Sequence, residues 1–518
     1  MAETFAQALG QVFDPTVLLV IAIAAAYGTL FGSIPGLSAT MAVALVVPLT
    51  YFLSPLAALA AVVTLEACAI SAGDIPSALV RIPGTPASAA YADDLYQLAR
   101  RGHYHRALGV CIIFSAIGGL FGVAMLFLFA QPFAAIATWF TVVEYFWLYV
   151  LGLACAVVVS RGPALKGAFA LLIGLLFSTV GLSPVHTAAR FTFGRPELYQ
   201  GISFIPALVG LFGLSEVLRN VRTLGGAPVA PIVHQPTASS RVGLLRALHE
   251  VFGGALALLW QRPRQMLQAN VIGTMIGILP GAGADIAAWV SYGVSKRSSA
   301  TPEQYGRGSL EGVADAGAAN NAALAGAWVP ALTLGIPGDS ITAIVLGIMM
   351  MKNLQPGPDI FDNQAVLVHS LYLVFILANL ALLPAGFLAV RASGRLVRVP
   401  RQTLLPIVVL FCVLGSYAIA GSYFDVAIML VMGVLGFVLE RRQIPVGPVV
   451  LGIILGGPLE ERFIQTMTVS GGSLTVFFAR PSAAILALLA LVVCLLPAVS
   501  AWRRRKTKPD TASQAGVP

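Results

Sequence analysis

The sequence predicts an all-α polytopic membrane protein built from two inverted-topology repeats whose helices are broken by Pro-Gly pairs. Its composition, a duplicated set of glycine and proline signatures, and the placing of its basic residues carry that prediction. Of 518 residues, 58% are hydrophobic and 10% charged, against about 25% charged in a soluble domain, which excludes an ordinary cytosolic globular protein. Apolar stretches such as Val17 to Phe31, Leu404 to Ala420 and Ala483 to Val499 recur, each near the ~20 residues that cross a ~30 Å hydrocarbon core. No interval between them is long and polar enough for a separate domain, so residues 1–518 are expected to form one membrane unit. Roughly 10 to 12 spans are expected, plus the proline-broken segments. Val446 to Gly457 is too short to cross alone and reads as half a broken helix.

The duplication is explicit. GTLFGSIPGLSAT from Gly28 and GTMIGILPGAGAD from Gly273 share six of thirteen positions at an offset of 245. RIPGTPASA from Arg81 and GIPGDSITA from Gly335 match at an offset of 254. A first repeat over 15–225 and a second over 260–480 follow, joined by a linker and connecting segment at 226–259. Within and beside that join, the Gly/Pro-rich stretch Gly225 to Ser240 is the best linker candidate. A final span at 481–502 and a basic tail at 503–518 complete the chain.

Charge sets the orientation. The segment after Pro35-Gly36 ends at uncharged Ser54-Pro55, whereas its counterpart ends at Lys296-Arg297. After Pro83-Gly84 comes the basic loop Arg100 to Arg106, whereas after Pro337-Gly338 comes QPGPDIFDNQ, with two Asp and no Arg. Because basic loops stay in the cytoplasm, equivalent segments should exit on opposite faces, which makes the repeat inverted. The net charge is +9, and the tail from Arg503 holds five basic residues against Asp510. That run predicts a cytoplasmic C terminus beside membrane lipid. No basic strip interleaved with aromatics offers a nucleic-acid surface. Residues 1–15 contain Glu3 and Asp14 but no Lys or Arg, so a cleaved signal peptide is not expected and the first apolar run should remain a span. Leu404 to Ala420 and Phe424 to Leu439 fit an out-and-back helical pair.

Four breaks carry the candidate chemistry: Pro35-Gly36, Pro83-Gly84, Pro280-Gly281 and Pro337-Gly338. Proline removes a helical hydrogen bond and glycine permits unusual dihedrals. Irregular backbone at membrane depth is tolerated where it is buried in protein or lines an aqueous cavity, and paired breaks in two halves point to a transporter's binding site. Helices restarting after each break would offer N–H groups and a positive dipole end to an anion. Hydroxyl groups crowd the same places, namely Ser38 and Thr40, Thr85 and Ser88, Ser340 and Thr342, with Gly283 beside the third break. They are neutral donors suited to a carboxylate, or they bond back to their own helix.

Charged and amide groups inside apolar segments are expensive and usually functional. Asp74, Asp285, Asp315 and Asp339 are the candidates for coupling to Na⁺ or H⁺, with Asp285 and Asp339 alternatively capping the restarting helices. Arg81 either pairs with Asp74 or meets a substrate carboxylate, and Asn320-Asn321 stand out in an Ala-rich run. Glu66, Glu144 and Lys166 also interrupt apolar runs and read as residues near an interface. His103 and His105 sit in the basic loop and read as solvated. The five cysteines lack pairing or metal-ligand spacing and read as small hydrophobes. No firm metal site and no cofactor are expected. The absence of GxxxxGK[ST], HExxH and GxSxG argues against ATP hydrolysis and the common hydrolytic chemistries. Energy should then come from an ion gradient; an intramembrane enzyme and a passive anion channel are the competing classes.

Nearly the whole chain resembles the TctA family, the large membrane subunit of tripartite tricarboxylate transporters. The resemblance is carried by GTLFGSIPGLSATMAVALVVPLTYFLSP from Gly28, GTMIGILPGAGADIAAWVSYGVSKR from Gly273, ANNAALAGAWVPALTLGIPGD from Ala319 and LQPGPDIF from Leu354. It implies a bacterial inner-membrane permease that works with a small four-span membrane subunit and a periplasmic solute-binding protein. Such a permease imports carboxylates on an ion gradient. The chain departs from the family's pattern in four places: Ser71 to Ile75 replaces a YGGSI-type stretch, and Arg81 replaces an Asn. Asp94-Leu95-Tyr96-Gln97 replaces a DGYP-like run, and Gly317 replaces a Glu three residues before the paired asparagines. These departures open the substrate to carboxylates other than a tricarboxylate.

Overall fold

Long uninterrupted apolar runs form the helices, and proline and glycine decide where they stop. A computed structural model describes residues 2–160, 163–183, 188–222, 243–280, 283–399 and 401–506. The linker candidate Gly225 to Ser240 and the tail beyond 506 lie outside the described residues, as does Gly281.

The chain opens with α1 (Ala2–Val12) and α2 (Pro15–Ser33), the latter capped by the Asp14 carboxylate, which accepts from the Thr16 N–H at 2.8 Å. A residue before proline is pushed out of the helical region; accordingly Ile34 is extended, at φ −94°, and α2 ends there. α3 (Ala39–Thr50) restarts under a Ser38 cap. α4 (Pro55–Ala72) and α5 (Asp74–Val80) form one buried rod from Pro55 to Val80. After a 3₁₀ turn come α6 (Ala92–Arg100), α7 (Tyr104–Ala137), α8 (Val142–Val159) and α9 (Ala164–Ser178). A small antiparallel pair, β1 (Gly181–Leu182) and β2 (Ala189–Arg190), precedes α10 (Phe204–Leu208), which runs through a π turn into α11 (Ser215–Arg222).

The order then recurs. α12 (Leu244–Gln261), which runs two residues past the segment 226–259 read as connecting, is followed by α13 (Pro263–Ile278), α14 (Gly283–Ser298), the long α15 (Leu310–Leu334) and α16 (Ser340–Met351). Next are α17 (Ile360–Asn363), α18 (Ala365–Leu396), α19 (Arg401–Ala420) and α20 (Tyr423–Arg441). α19 and α20 are the expected helical pair, turning at Gly421 with φ +63°. Val446 to Gly457 is not half a broken helix: it belongs to the continuous α21 (Gly447–Val469), which passes through Pro458. Short α22 (Val476–Ala479) and α23 (Pro481–Lys506) end the described chain.

Among the described residues, seven helices are long and apolar enough to cross a membrane. Shorter apolar helices include Ala39–Thr50 and Ser340–Met351, both of which restart after a break. The protein is an all-α polytopic membrane protein.

Packing repeats with the sequence. α2 lies on α4, and α13 lies on α15. Gly28 and Gly32 press against the backbone carbonyls of Leu65 and Ala69, while Gly273 and Gly277 press against those of Ala319 and Ala323. A Cβ on any of these four glycines would collide with backbone, which is how small residues let membrane helices approach. The glycines are related by the offset of 245 and their carbonyl partners by the offset of 254, the same two offsets that relate the signatures. The halves also interlock: α4 packs on α18 while α15 packs on α7, and α1 packs on α18 while α12 packs on α7.

Candidate functional site

Each break leaves backbone groups that must be satisfied locally. At the first, Gly36 takes φ +88° and its carbonyl accepts from Asn220 Nδ2 on α11 at 2.9 Å. At the second, Arg81 closes α5 in the left-handed region, and the Gly84 N–H donates to the Gly73 carbonyl at 3.1 Å. Gly73 and Gly84 touch so closely that a Cβ on Gly84 would strike the Gly73 backbone. Thr85 and Ser88 then satisfy each other, each backbone N–H donating to the other's hydroxyl at 3.1 Å. At the third, the Leu279 N–H turns back to Ile276, and Gly283 opens α14 with φ +61°. At the fourth, Gly335 ends α15 at φ +67°, and Asp339 caps α16 in a reciprocal box with Thr342 at 2.8 Å in each direction.

These four irregular segments meet at one cavity of about 330 Å³, a volume at the lower end of small-molecule sites. Its lining follows the repeat. Ser38, Ala39 and Thr40 face it from the first break and Gly283, Ala284 and Asp285 from the third, at matched positions. Thr85 and Pro86 line it after the second break, matched by Asp339 and Ser340 after the fourth. The remaining wall comes from Ile70 on α4, Ala156 on α8, Ser160 just beyond it, and Pro445, Gly447, Pro448 and Leu451 at the start of α21. No short local signal marks the α8 contribution, whereas Pro445 and Gly447-Pro448 punctuate the start of α21; packing between distant helices brings both to the cavity.

The electrostatics are mixed. α3, α14 and α16 begin at the cavity, and each helix start carries roughly +0.5 of a charge in unsatisfied N–H groups. Two carboxylates, Asp285 and Asp339, also line it, and no Lys, Arg or His does so among the described residues. An anion placed here meets helix ends and hydroxyls rather than a basic side chain. Any bound anion therefore shares the cavity with two acids.

The other predicted residues fall into two groups. Pro35, Pro83, Pro280, Pro337 and Gly338 form the breaks without lining the cavity, and Ser88 and Thr342 are buried in the hydrogen bonds just described. Farther off, Asp74 is buried and accepts from the Tyr91 hydroxyl at 2.9 Å, so it does not pair with Arg81. Arg81 instead is exposed, 2.7 Å from Asp93 and over the Tyr96 ring, outside the cavity. The left-handed cap at Arg81 places it beside α6, which explains why neither partner expected from the sequence is found. Asp315 is buried 3.2 Å from Arg262 and accepts from Ser295. Asn321 donates to the Ser115 carbonyl at 2.7 Å and to Asn379 Oδ1 at 2.8 Å, tying α15 to α7 and α18. Asn320 is buried with its Oδ1 unpartnered.

Three residues read as interfacial prove otherwise or more specific. Glu66 is fully buried, and neither carboxylate oxygen has a hydrogen-bond partner. Glu144 is buried as well, held by Thr141, Ser482 and Arg480. Lys166 is half-buried and donates to the Arg442 carbonyl at 2.6 Å. His105 sits 2.9 Å from Glu250. All five cysteines are free, with Cys494 exposed rather than in a core.

The model of the Tripartite tricarboxylate transporter TctA family matches residues 18–451. An uncharacterized 52.8 kDa protein in the TAR-I ttuC' 3' region of Agrobacterium vitis is 33% identical over 486 residues, covering 92% of both chains. A second uncharacterized protein, in the TAR-II ttuC' 3' region of the same organism, is 36% identical over 234 residues, 45% of this chain and 97% of its own. No solved structure matches. The match spans all four breaks and both halves of the cavity lining, and the chain belongs to the tripartite tricarboxylate transporter TctA family.

Proposed function

We propose that this chain is the large permease subunit of a tripartite secondary transporter, importing a small organic anion by ion-coupled alternating access. The substrate class is a di- or tricarboxylate or a related carboxylate. One observation carries the reading: two pairs of helix breaks, each pair related by the repeat, converge on a single cavity of small-molecule size. The anion would be held by the starts of α3, α14 and α16 and by Ser38, Thr40, Thr85 and Ser340.

Coupling follows from charge. With Asp285 and Asp339 in the lining and no Lys, Arg or His among the described lining residues, binding an anion becomes favourable when a cation or proton neutralises the acids. Each ligand then raises the affinity for the other, which is the thermodynamic requirement of symport. Na⁺ and H⁺ are the candidates, and no cofactor is invoked. Residues 15–225 and 260–480 are read as inverted repeats that rock about the cavity. α8 and α21 wall it, whereas their counterparts α19 and α10–α11 pack against α3, an asymmetry expected when access is one-sided.

The partners proposed are a small four-span membrane subunit and a periplasmic solute-binding protein. The chain would sit in a bacterial inner membrane with its C terminus cytoplasmic. Uptake of a labelled carboxylate panel by cells co-expressing the partners, under imposed sodium or proton gradients, tests the reading. Accumulation of one acid against its gradient is expected. Flux that only dissipates a gradient would identify a channel instead, and no flux with the chain inserted would overturn the substrate class.

A further inference from the structure

The long rods of the two halves carry a matched pair of buried polar groups. Glu66 on α4 and Asn320 on α15 are related by the same offset of 254 that relates the second pair of breaks. Both are buried; Asn320 Oδ1 is unpartnered, and Glu66 has no partner on either oxygen. Amide and carboxyl groups have similar size, but only one can bind and release a proton.

Glu66 is not isolated from the cavity. Residues four apart share a helix face, and Ile70, one turn on from Glu66, lines the cavity. Asp339, also in the lining, caps α16, which packs against α4. Among the described residues, no ion pair or hydrogen bond reaches Glu66 from the ionisable groups on helices packed against α4. Tyr27 on α2 stacks on Phe31, Asp74 on α5 is held by Tyr91, and Asp315 on α15 pairs with Arg262. On α18, His369 bonds the Ala365 carbonyl, Tyr372 stacks edge-on against Phe127, and Arg391 lies over Phe387. Cys111 on α7 neighbours Asp74. Thus no described cation compensates Glu66.

We propose that Glu66 is the proton-carrying carboxylate of this transporter, loaded and emptied through the cavity wall at Ile70. The proposal rests on the transport reading above and names the coupling ion. An unpaired carboxylate held away from water is strongly disfavoured, and such groups neutralise instead. A proton does this with no further ligand, whereas a hard metal cation needs about six oxygens, and Glu66 lies within the continuous helix α4, whose carbonyls are taken up in helical hydrogen bonds. In the occluded arrangement Glu66 keeps its proton. When the rods shift and the wall at Ile70 opens, the proton passes to cavity water on the side then exposed.

The test is Glu66→Gln in the full chain with its partners, assayed two ways. Exchange of labelled for unlabelled carboxylate across the membrane is expected to persist, while accumulation driven by a proton gradient collapses to the external concentration. Glu66→Asp, which keeps a proton site, is expected to restore part of that accumulation. Unchanged proton-driven accumulation in Glu66→Gln overturns the role of Glu66 and leaves transport standing. No carboxylate movement in the unsubstituted protein overturns the transport reading and the coupling role with it. Infrared spectra of the purified protein without substrate give a reading independent of transport. A protonated-carboxylic-acid band at neutral pH should be present, absent in Glu66→Gln and displaced in Glu66→Asp; its absence from the unsubstituted protein overturns the proposal.

Discussion

Thr40 and Thr85 of the first half occupy the positions that Asp285 and Asp339 hold in the second, while behind the cavity Glu66 stands where the second half has Asn320. The backbone treats the halves alike. Each has a glycine-mediated contact of a short helix on a long rod, a break, and a helix restarting at the cavity. Side chains treat them differently: both acids of the lining belong to the second half, while at one matched rod position the first half has Glu66 and the second Asn320. Shared backbone builds the site, and unequal side chains give it a direction: hydroxyls and helix ends suit the anion, whereas acids suit whatever neutralises them.

The shared part of the comparison is the easiest to break. Gly32→Val and Gly277→Val each place side-chain atoms against a carbonyl of the facing rod, at Ala69 and Ala323 respectively. Overpacking costs about 1–3 kcal/mol or more, and here the obstructing atoms are backbone, so the upper end is expected. Both variants should lose folded protein, as read by thermal melting of detergent-extracted material. Equal losses support equivalent contacts; a large loss in only one half would break the equivalence.

Asn321 is a smaller lever on the same architecture, because its amide joins Ser115 on α7 and Asn379 on α18. Asn321→Ala leaves Asn379 Oδ1 without that donor, and an unsatisfied buried acceptor costs about 1–3 kcal/mol. Ala67, its counterpart in α4, is also buried but supplies no such tie. The melting temperature should therefore fall in Asn321→Ala and stay near the original in Ala67→Ser.

Side-chain asymmetry is sharpened by pairing Asp339→Asn with Thr85→Ala. Asparagine caps helices about as well as aspartate, so Asp339→Asn should keep α16 in place while removing the charge. Gradient-driven uptake should fall about tenfold or more, the equivalent of ~1.4 kcal/mol in the coupled step. Thr85→Ala removes one lining hydroxyl together with the acceptor of the Ser88 N–H, each bond worth about 0.5–1.5 kcal/mol, and should raise KM without altering the ion dependence. If both variants change the same parameter by the same factor, the division of labour between halves is wrong.

How much of this was legible in the sequence depends on how local each cause is. Pro35-Gly36 and Pro337-Gly338 could be read directly because proline and glycine act on their own backbone and immediate neighbours. The capping alternative for Asp339 was legible for the same reason. Glu66 was misread as interfacial because depth in a bundle is a property of every helix around it, although the repeat offset already set it opposite Asn320. The cavity wall from α8 had no local signal, and the Pro445 and Gly447-Pro448 punctuation at α21 did not show where it would lie; only packing between helices far apart in sequence brings Ser160 and Gly447 together.

Arg81 gives the smallest expected effect. A basic residue beside a break looks like an anion ligand, and Asp74, seven positions earlier, looks like its structural partner. In the fold both readings give way to an exposed pair with Asp93, with the two side chains 58% and 57% accessible. Exposed pairs are worth about 0–1 kcal/mol, and the stacking on Tyr96 adds a contribution of similar exposed character. Arg81→Gln should therefore change stability little and leave the KM for the transported carboxylate within about twofold, below the effect of losing one buried hydrogen bond. Its counterpart Gly335 has no side chain at all and sits at φ +67°, so the second half manages the same turn with no cation. A tenfold rise in KM on Arg81→Gln would require the second break to move Arg81 into the cavity during the cycle, and would make that break, rather than Thr85, the first half's contribution to anion binding.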